Sequence, residues 1–391
     1  MDRKIRLGII GVGNMGNGHA RNICTGKCPE LELVAVADIR PDRLKNIKEK
    51  YGEDILLFND AVEMLDSGKI EACIISVPHY DHARYAIECM KRGIHVMCEK
   101  PAGVYTKQAK EMNEMADHHP EVVFGMMFNQ RTNCIYRKMR ELVQSGKYGQ
   151  IRRSVWIITN WYRPQAYYDS GDWRATWSGE GGGVLLNQCP HQLDLWQWIC
   201  GMPTKLHAHM HFGKWHDIEV EDDVTAYAEY ENGAVGVFIT TTGDADGTNR
   251  FEIQLEKAKI IADENGLTVK EFEISEPEFS RTNKIPFGSI RSEKVEIELD
   301  GESPQHSGVL NAWAGAILRG TPMVADGREG INGLTISNAM HLSAFLGKEI
   351  ELPFDEELYY DELMKRVAVS RRKTNVTEVV SNTEDTYGGT K

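Results

Sequence analysis

The chain has 391 residues, with 45 lysines and arginines against 58 aspartates and glutamates, so its formal net charge is −13. Hydrophobic residues make up 41% and charged residues 26%, which is ordinary for a globular protein and excludes collagen-like and disordered classes. The acidic charge disfavours non-specific nucleic-acid binding. The sequence contains no run of about 18 apolar residues, so we expect no membrane span. The length predicts two domains.

The N-terminal segment is not typical of a signal peptide. Its apolar stretch, residues 5–12, is short, broken by glycine and not followed by a cleavage site. The eight cysteines are scattered without a CxxC pair, which is typical of reduced thiols rather than of disulfides or a zinc site. We therefore expect a cytoplasmic protein without a bound metal.

The first third of the chain alternates short apolar runs with helical patterns. Such alternation predicts βαβ units around a buried parallel sheet, so we expect a first α/β domain over residues 1–128. Its five predicted strands lie at residues 5–10, 31–38, 71–78, 93–101 and 122–129, and its predicted helices at 41–51, 81–92 and 106–118.

The pattern changes after residue 130. Alternating apolar and polar residues predict a mostly antiparallel sheet, with Asn232-Gly233 as the turn of a hairpin. We expect a second α/β domain over residues 129–370 and a polar tail or inter-subunit arm over 371–391. The predicted strands of this domain lie at 151–159, 205–212, 223–230, 234–242, 250–256 and 258–262, and the predicted helices at 137–146, 191–201, 307–319 and 329–346.

A glycine-rich turn follows the first predicted strand. Gly11, Gly13 and Gly16 have the GxGxxG spacing, in which the glycines allow a tight turn, close approach of a pyrophosphate and close packing of the next helix. Asn14 and Met15 open that helix, whose first amides would face the anion. The spacing therefore predicts a dinucleotide-binding loop.

The end of the second predicted strand indicates which dinucleotide is bound. Asp38 lies about 20 residues past the glycines, where a carboxylate accepts hydrogen bonds from the adenosine ribose hydroxyls. Its negative charge would repel a 2′-phosphate, so NAD is favoured over NADP. Arg40 and Arg43 keep NADP open as the alternative, because a nearby arginine accommodates that phosphate.

Several motifs together resemble one known family. The chain resembles the glucose–fructose oxidoreductase and inositol dehydrogenase family (Gfo/Idh/MocA) over about residues 4–365, through GVGNMG, AVADIRPDR, SVPHYDHARYA, CEKP, GGGVLLNQCPHQLDLWQW, VEDD and DGREGINGL. The resemblance implies an N-terminal Rossmann domain and a C-terminal α/β domain with a large open sheet. It also implies a homodimer or homotetramer that transfers hydride between nicotinamide and a secondary hydroxyl of a sugar or cyclitol.

The same resemblance identifies the catalytic residues. Lys100 matches the family's active-site lysine, and His191 matches its histidine acid/base. Asn187 occupies a position that is aspartate in inositol dehydrogenase-like members, and an amide does not stabilise an imidazolium electrostatically. We expect His191 to act as the base and Lys100 to orient the hydroxyl, with the reverse assignment as the alternative.

The remaining predicted contacts line the cofactor and the substrate. Further cofactor contacts are implied for Pro78, His79, His82, Glu99, Lys100 and Asn129. Substrate contacts are predicted for Lys100, Arg131, Tyr162, Arg163, Arg174, Trp177, Asn187, His191 and Asp194. Flat aromatic faces pack on sugar rings and arginines bind hydroxyls or carboxylates. One alternative is that Asp194 has a structural role at the helix terminus or supports His191. Another is that about half of the aromatic residues in loop 160–183 pack between the domains.

The sequence thus predicts an NAD-dependent oxidoreductase that acts on a secondary hydroxyl of a sugar, glycoside or cyclitol. The alternative is a redox-neutral enzyme that cleaves glycosides with tightly bound NAD, through transient oxidation and elimination. A third hypothesis is a regulator that senses NAD and sugar without catalysis. His207, His209 and His211 share one strand face, and we interpret them as solvated side chains rather than as metal ligands.

Overall fold

The computed structural model describes residues 3–371, 373 and 376, and it confirms the predicted fold class of two α/β units. Apart from residues 371, 373 and 376, the predicted tail at 371–391 lies outside the described residues. No helix in the described part of the chain is long and apolar enough to cross a membrane.

The five predicted strands of the first domain form one parallel sheet, and the structure adds a sixth strand whose mostly exposed residues give no buried run in the sequence. The elements are β1 Ile5–Ile10, α1 Asn14–Cys24, β2 Leu31–Ala37, α2 Pro41–Tyr51, β3 Leu56–Phe58, α3 Ala61–Asp66, β4 Ala72–Ile75, α4 His82–Met90, β5 His95–Cys98, α5 Thr106–His118 and β6 Phe124–Met126. The strand order is β3-β2-β1-β4-β5-β6. This is the Rossmann order, in which ligands bind at the carboxyl ends of the strands where the order reverses, here between β1 and β4.

The second domain is built on a nine-stranded sheet with the order β14-β13-β12-β11-β7-β10-β9-β8-β15. The elements are α6 Cys134–Gln144, β7 Ile151–Ile158, α7 Gln165–Tyr168, α8 Pro190–Cys200, β8 Lys205–Phe212, β9 Glu221–Glu229, β10 Val235–Thr241, β11 Asn249–Leu255, β12 Ala258–Asp263, β13 Gly266–Phe272, α9 Glu276–Thr282, β14 Ser292–Val295, α10 Gln305–Arg319, α11 Gly330–Leu346, β15 Ile350–Glu351 and α12 Glu356–Val367. Its strand pairs are antiparallel except β7 with β10, so the mostly antiparallel sheet is confirmed. The Asn232-Gly233 hairpin also forms, with Gly233 at a φ of +80°.

One face of the second sheet carries α8, the helix that begins beside the candidate site. Trp156 of β7 is fully buried and stacks on Phe251 with ring centroids 4.2 Å apart. Trp196 of α8 is also buried, and its indole Nε1 donates to Oγ of Ser154 at 3.0 Å. These contacts fix α8 on the sheet, because large buried aromatic groups leave little freedom for a helix to slide.

Helix α10 belongs to the second half of the chain but packs on the first sheet. Leu310 and Trp313 are fully buried in a cluster with Ile5 and Leu7 of β1. The indole of Trp313 donates to the carbonyl of Val123 at 3.2 Å. The boundary predicted at residues 128/129 thus separates the two sheets, whereas the core of the first domain includes side chains from α10.

Candidate active site

The glycine-rich loop joins β1 to α1 at the sheet's switch point. Gly11 has a φ of +84°, and a Cβ at this residue would lie 2.5 Å from the carbonyl oxygen of Ser76. A Cβ at Gly16 would lie 2.0 Å from the carbonyl oxygen of Gly11, so both positions require glycine for packing. A Cβ at Gly13 would approach only the side chain of Arg43, at 3.5 Å. The space beside Gly13 therefore suits a ligand that approaches the backbone.

The N-terminus of α1 suits an anionic ligand. The helix begins at Asn14, and its N-cap residue Gly13 has no side chain to accept hydrogen bonds from the first amides. The first turn, which includes Met15, contains no acidic residue. The positive end of the helix dipole thus faces the glycine loop, as a pyrophosphate site requires.

Gly16→Ala should abolish dinucleotide binding and lower the stability of the first domain, because backbone atoms of the loop must move to admit the new Cβ. Gly18→Ala is the matched control, since a Cβ at Gly18 in the same helix meets nothing within 4 Å. The control should raise the free energy of unfolding by about 0.5–1 kcal/mol, because alanine favours helix interiors over glycine. NADH titration by fluorescence and urea unfolding measure both effects, and equal NADH affinity in the two variants would contradict the packing role.

Asp38 lies next to this loop, directly after β2. Its Oδ2 accepts from the backbone amide of Val12 at 2.8 Å, and its Oδ1 accepts from the amide of Arg40 at 2.9 Å. These two bonds fix the carboxylate at the rim of the loop, and each oxygen retains a further lone pair for a ribose hydroxyl. The side chain of Arg40 pairs with Asp42, whereas a guanidinium nitrogen of Arg43 lies 3.8 Å from Asp38.

A buried acid lies beside the backbone of the candidate catalytic lysine. Glu99 follows β5, and its Oε1 lies 2.7 Å from Nε2 of His19 on α1. Burial alone would raise the pKa of Glu99, but the hydrogen bond from His19 and the neighbouring Lys100 and His306 lower that pKa to about 2. Glu99 is therefore a buried carboxylate in the usual pH range, with His19 as its donor.

The side chain of Lys100 connects the two domains. Its Nζ donates to the backbone carbonyl of Asn187 at 2.9 Å. Asn187 belongs to a π-helical turn, Val184–Gln188, and such turns are frequent at functional sites. Helix α8 follows this turn and carries His191 in its first turn. The structure thus brings together the three predicted catalytic residues.

The two proton-transfer candidates have altered pKa values. Burial lowers the pKa of Lys100, while the carboxylates of Glu99 and Glu180 oppose that change. Burial, and after it the charge of Lys100, lowers the pKa of His191 well below its ordinary value. His191 is therefore neutral near pH 7, and its imidazole has a lone pair that accepts a proton.

A second buried carboxylate fixes the turn that carries Asn187. Glu221 of β9 is fully buried, and its oxygens accept from the amides of Gly183 at 2.9 Å and Leu185 at 3.0 Å. Nε2 of His341 lies 2.9 Å from the same carboxylate. A Cβ at Gly183 would lie 2.0 Å from the carbonyl oxygen of Glu221, which explains this glycine of the GGG motif.

The segment after β4 packs against the lysine and the loop of the second domain. His82 is buried with its ring nitrogens 2.7 Å from the carbonyl of Pro101 and 2.8 Å from that of Val77. Nδ1 of His79 lies 3.1 Å from the carbonyl of Glu180, and Pro78 is exposed at the start of the segment. The two histidines thus fix backbone segments, which supports the positioning role over a catalytic one.

Asn129 lies just after β6 and is fully buried. Its Nδ2 donates to Oε1 of Gln305 at 2.7 Å. Its Oδ1 is buried without a hydrogen-bond partner among the described residues. A buried acceptor without a donor is costly, and a carboxamide from a bound cofactor would satisfy it.

In the aromatic loop at residues 160–183, the side chains of two arginines lie against the ring of one tyrosine. The guanidinium carbons of Arg163 and Arg174 lie 5.2 Å and 4.6 Å from the ring centroid of Tyr167. Arg174 also donates to the hydroxyl of Tyr167 at 3.0 Å, and this hydroxyl donates to Oδ1 of Asn187 at 3.3 Å. Tyr162 remains exposed, with 45% of its surface accessible.

Three of the predicted substrate contacts are not supported by the structure. Arg131 and Asp194 are both buried and form a bidentate pair, with N–O distances of 2.7 Å and 2.6 Å. A second ion pair joins Arg131 to Glu329 at 2.7 Å, so all three guanidinium nitrogens bond to protein carboxylates. Trp177 is buried and packs against Phe345, with ring centroids 5.7 Å apart. The described contacts of these three side chains are thus made to other parts of the protein.

Three site residues escape prediction from the sequence. Glu180 is a buried acid inside a glycine-rich stretch, and this unusual setting is the signal that would have found it. His19 lies one turn after Gly16 on α1 and faces the sheet. His306 gives no sequence signal, because it lies more than 200 residues from Lys100 in the chain. Burial, and after it the neighbouring His19, lowers the pKa of His306 to about 4.

Comparisons with known proteins show the family to which the chain is related. The family described as "Oxidoreductase family, NAD-binding Rossmann fold" matches residues 5–126, and "GFO/IDH/MocA C-terminal domain" matches residues 136–261. The chain is 26% identical to D-glucoside 3-dehydrogenase of Escherichia coli over 89% of this chain and 97% of that protein. It is 27% identical to inositol 2-dehydrogenase of Rubrobacter xylanophilus over 86% of this chain and 90% of that protein.

A solved structure shows the same architecture. The WlbA dehydrogenase of Bordetella pertussis, in complex with NADH and UDP-GlcNAcA, superposes with a TM-score of 0.77 at 26% identity. The match covers 91% of this chain and 99% of that one. With the glycine loop, Asp38 and the Lys100–Asn187–His191 cluster in place, the chain belongs to the GFO/IDH/MocA family of NAD-binding oxidoreductases.

Proposed function

We propose that the protein transfers hydride between NAD and a secondary hydroxyl of a sugar, glycoside or cyclitol, with Lys100 and His191 in contact with that hydroxyl. The observation that carries this proposal is the bond from Nζ of Lys100 to the carbonyl of Asn187, which joins the dinucleotide domain to the start of α8. The names of the relatives, a glucoside dehydrogenase and an inositol dehydrogenase, support this substrate class.

In this mechanism His191 accepts the proton of the substrate hydroxyl. Burial keeps its imidazole neutral near pH 7, as a base requires. Lys100 donates a hydrogen bond to the same oxygen and stabilises the negative charge that develops there. When bound, NAD supplies the hydride acceptor at its nicotinamide. The reverse direction uses the same two residues with the proton moving the other way.

The cofactor is NAD rather than NADP in this proposal. The buried carboxylate of Asp38 occupies the rim of the loop where a 2′-phosphate would have to lie, and like charges repel. The side chain of Arg40, which could offset that charge, is paired with Asp42. Arg43 remains the residue through which weak NADP binding would occur.

We place the substrate beside Arg163, Arg174 and Tyr167. The two guanidiniums supply directed hydrogen-bond donors around Tyr167, whose hydroxyl bonds to Asn187, and a ligand rich in hydroxyl groups requires such donors. The exposed ring of Tyr162 lies in the same loop and offers an apolar face for a sugar ring. This arrangement suits a glycoside better than a small unsubstituted alcohol.

We further propose a cytoplasmic homodimer or homotetramer that assembles through the outer face of the second sheet. Val155 and Ile157 of β7 lie in register with Val237 and Ile239 of β10 on that face, and all four are partly exposed. Tyr227, 42% exposed, pairs with Val237. Such an apolar face is typical of a subunit interface, and light scattering of the purified chain would give the oligomer mass.

The decisive experiment is NADH formation with a panel of hexoses, uronic acids, inositols and aryl glycosides. We expect absorbance of NADH to rise with at least one glycoside or cyclitol and to be much weaker when NADP replaces NAD. Release of a free aglycone without net NADH would instead support the redox-neutral alternative. Binding of NAD and a sugar with no chemical change in either would overturn the proposal in favour of a sensor.

A further inference from the structure

Glu180 and Lys100 both bond to Asn187. The carboxylate is buried, with 2% of its residue surface accessible. One oxygen accepts from the amide of Ala175 at 2.6 Å, and the other accepts from Nδ2 of Asn187. Because the carbonyl of Asn187 accepts from Lys100, a single residue separates the acid from the ammonium.

The burial of the Glu180 carboxylate has an energetic cost. A buried carboxylate costs free energy unless its charge is compensated, and burial raises the pKa of Glu180. Arg174 and the two amide donors oppose that increase. Among the described residues, the charged or titratable groups that interact with Glu180 or Lys100 are Glu99, Tyr168, Arg174, Cys189, Glu221, His79, His82, His191 and His306.

We propose that Glu180 is a positioning residue that supplies, through its bond to Asn187, the buried negative charge that the amide of Asn187 lacks beside Lys100. This inference rests on the function proposed above. Lys100 is then held between two carboxylates, one from each domain: Glu99 next to it in the chain, and Glu180 across the domain interface. Glu180 also holds Ala175, a non-glycine residue with a φ of +53°, and so fixes the backbone next to Arg174.

The sign of the effect on Lys100 follows directly. A neighbouring negative charge favours the ammonium form, so its loss lowers the pKa of the lysine. Glu180→Gln should therefore shift the titration of Lys100 to lower pH by about one unit, the lower end of the usual range for a close opposite charge. Glu219→Gln is the matched control. Glu219 accepts from the amide of Trp177, which lies in the same loop as Glu180, and Glu219 does not bond to Asn187. The control should leave the titration of Lys100 unchanged.

A measurement without substrate tests the charge itself. Reductive methylation with formaldehyde modifies only neutral amines, and mass spectrometry of the Lys100 peptide as a function of pH gives its titration midpoint. The exposed Lys107 and Lys110 serve as internal standards in the same chain. A double variant, Glu180→Gln with Asn187→Asp, returns one carboxylate to the pair and should restore the wild-type midpoint.

Kinetics then separate this inference from the proposed function. In Glu180→Gln the pH profile of kcat should shift in the same direction as the methylation midpoint, and the double variant should reverse that shift. If the wild type turns over no sugar or cyclitol, the proposed function fails while the methylation test still stands. A folded Glu180→Gln variant with the wild-type midpoint would overturn the role of Glu180. If Glu180→Gln does not fold, the double variant provides the test. A methylation midpoint of Lys100 one unit below that of the wild type in the double variant would also overturn the role of Glu180.

Discussion

Lys100→Met should lower kcat for the proposed dehydrogenation by a factor on the order of 10²–10⁴, the usual contribution of a positioned proton-transfer group. Methionine keeps the length and apolar stem of the side chain but removes the ammonium that bonds to the carbonyl of Asn187. NAD affinity should stay close to that of the wild type, because the glycine loop and Asp38 are untouched. Initial rates of NADH formation and fluorescence titration of NADH measure the two quantities.

Lys107→Met is the control for this substitution. Lys107 lies on α5, pairs with the exposed Glu357 and makes no contact with the site residues described above. Its kcat should equal that of the wild type. A Lys100→Met enzyme that retains wild-type kcat would show that Lys100 does not take part in the chemistry and that His191 acts with another partner.

Arg131→Leu should lower the free energy of unfolding by about 3–5 kcal/mol, because it leaves Asp194 buried without its partner. The carboxylate and the guanidinium are each about 1% exposed, so water does not replace the lost bonds. The pair joins the crossing after β6 to α8, and Glu329 extends it towards α11. Urea unfolding followed by fluorescence measures the change.

Arg137→Leu provides the comparison for an exposed pair. Arg137 bonds to Asp300 at 3.0 Å with 39% of its side chain exposed, so its removal should cost less than about 1 kcal/mol. Replacing both buried partners, Arg131→Met with Asp194→Leu, should recover much of the loss, since no buried charge is left uncompensated and the carboxylate of Glu329 is 38% exposed. An Arg131→Leu variant of wild-type stability but reduced substrate affinity would restore Arg131 to the substrate site.

The parts of the fold that follow from the sequence are those with local causes. The parallel strands appear as short apolar runs because both faces of each strand are buried, and the Asn232-Gly233 turn forms because glycine adopts its positive φ at no steric cost. Strand β3 escapes prediction, since its exposed residues leave no apolar run. The packing of α10 on the first sheet has no local signal, because its partners in β1 lie about 300 residues earlier.

The site shows the same division. Motif spacing predicts Gly11 and Gly16, which act through backbone geometry, whereas Lys100 and Asn187 are predicted from the resemblance to the family. The partners of an ionised side chain do not follow from the sequence in this way. The sequence predicts Arg131 as a substrate contact, and only the fold shows that Asp194 lies within bonding distance of its guanidinium. Glu180 meets Asn187 for the same reason, through a turn that no periodicity describes.

The packing of α10 has a consequence for synthesis. A ribosome completes β6 at residue 126 but does not release Trp313 until nearly two hundred further residues have been added. Until then the nascent nucleotide-binding half exposes the apolar surface around Ile5 and Leu7 that α10 later covers. A fragment cut at the motif-based boundary would keep that surface open to solvent and tend to aggregate. The half that binds NAD is thus translated first, but its core is completed only after α10 has been synthesised.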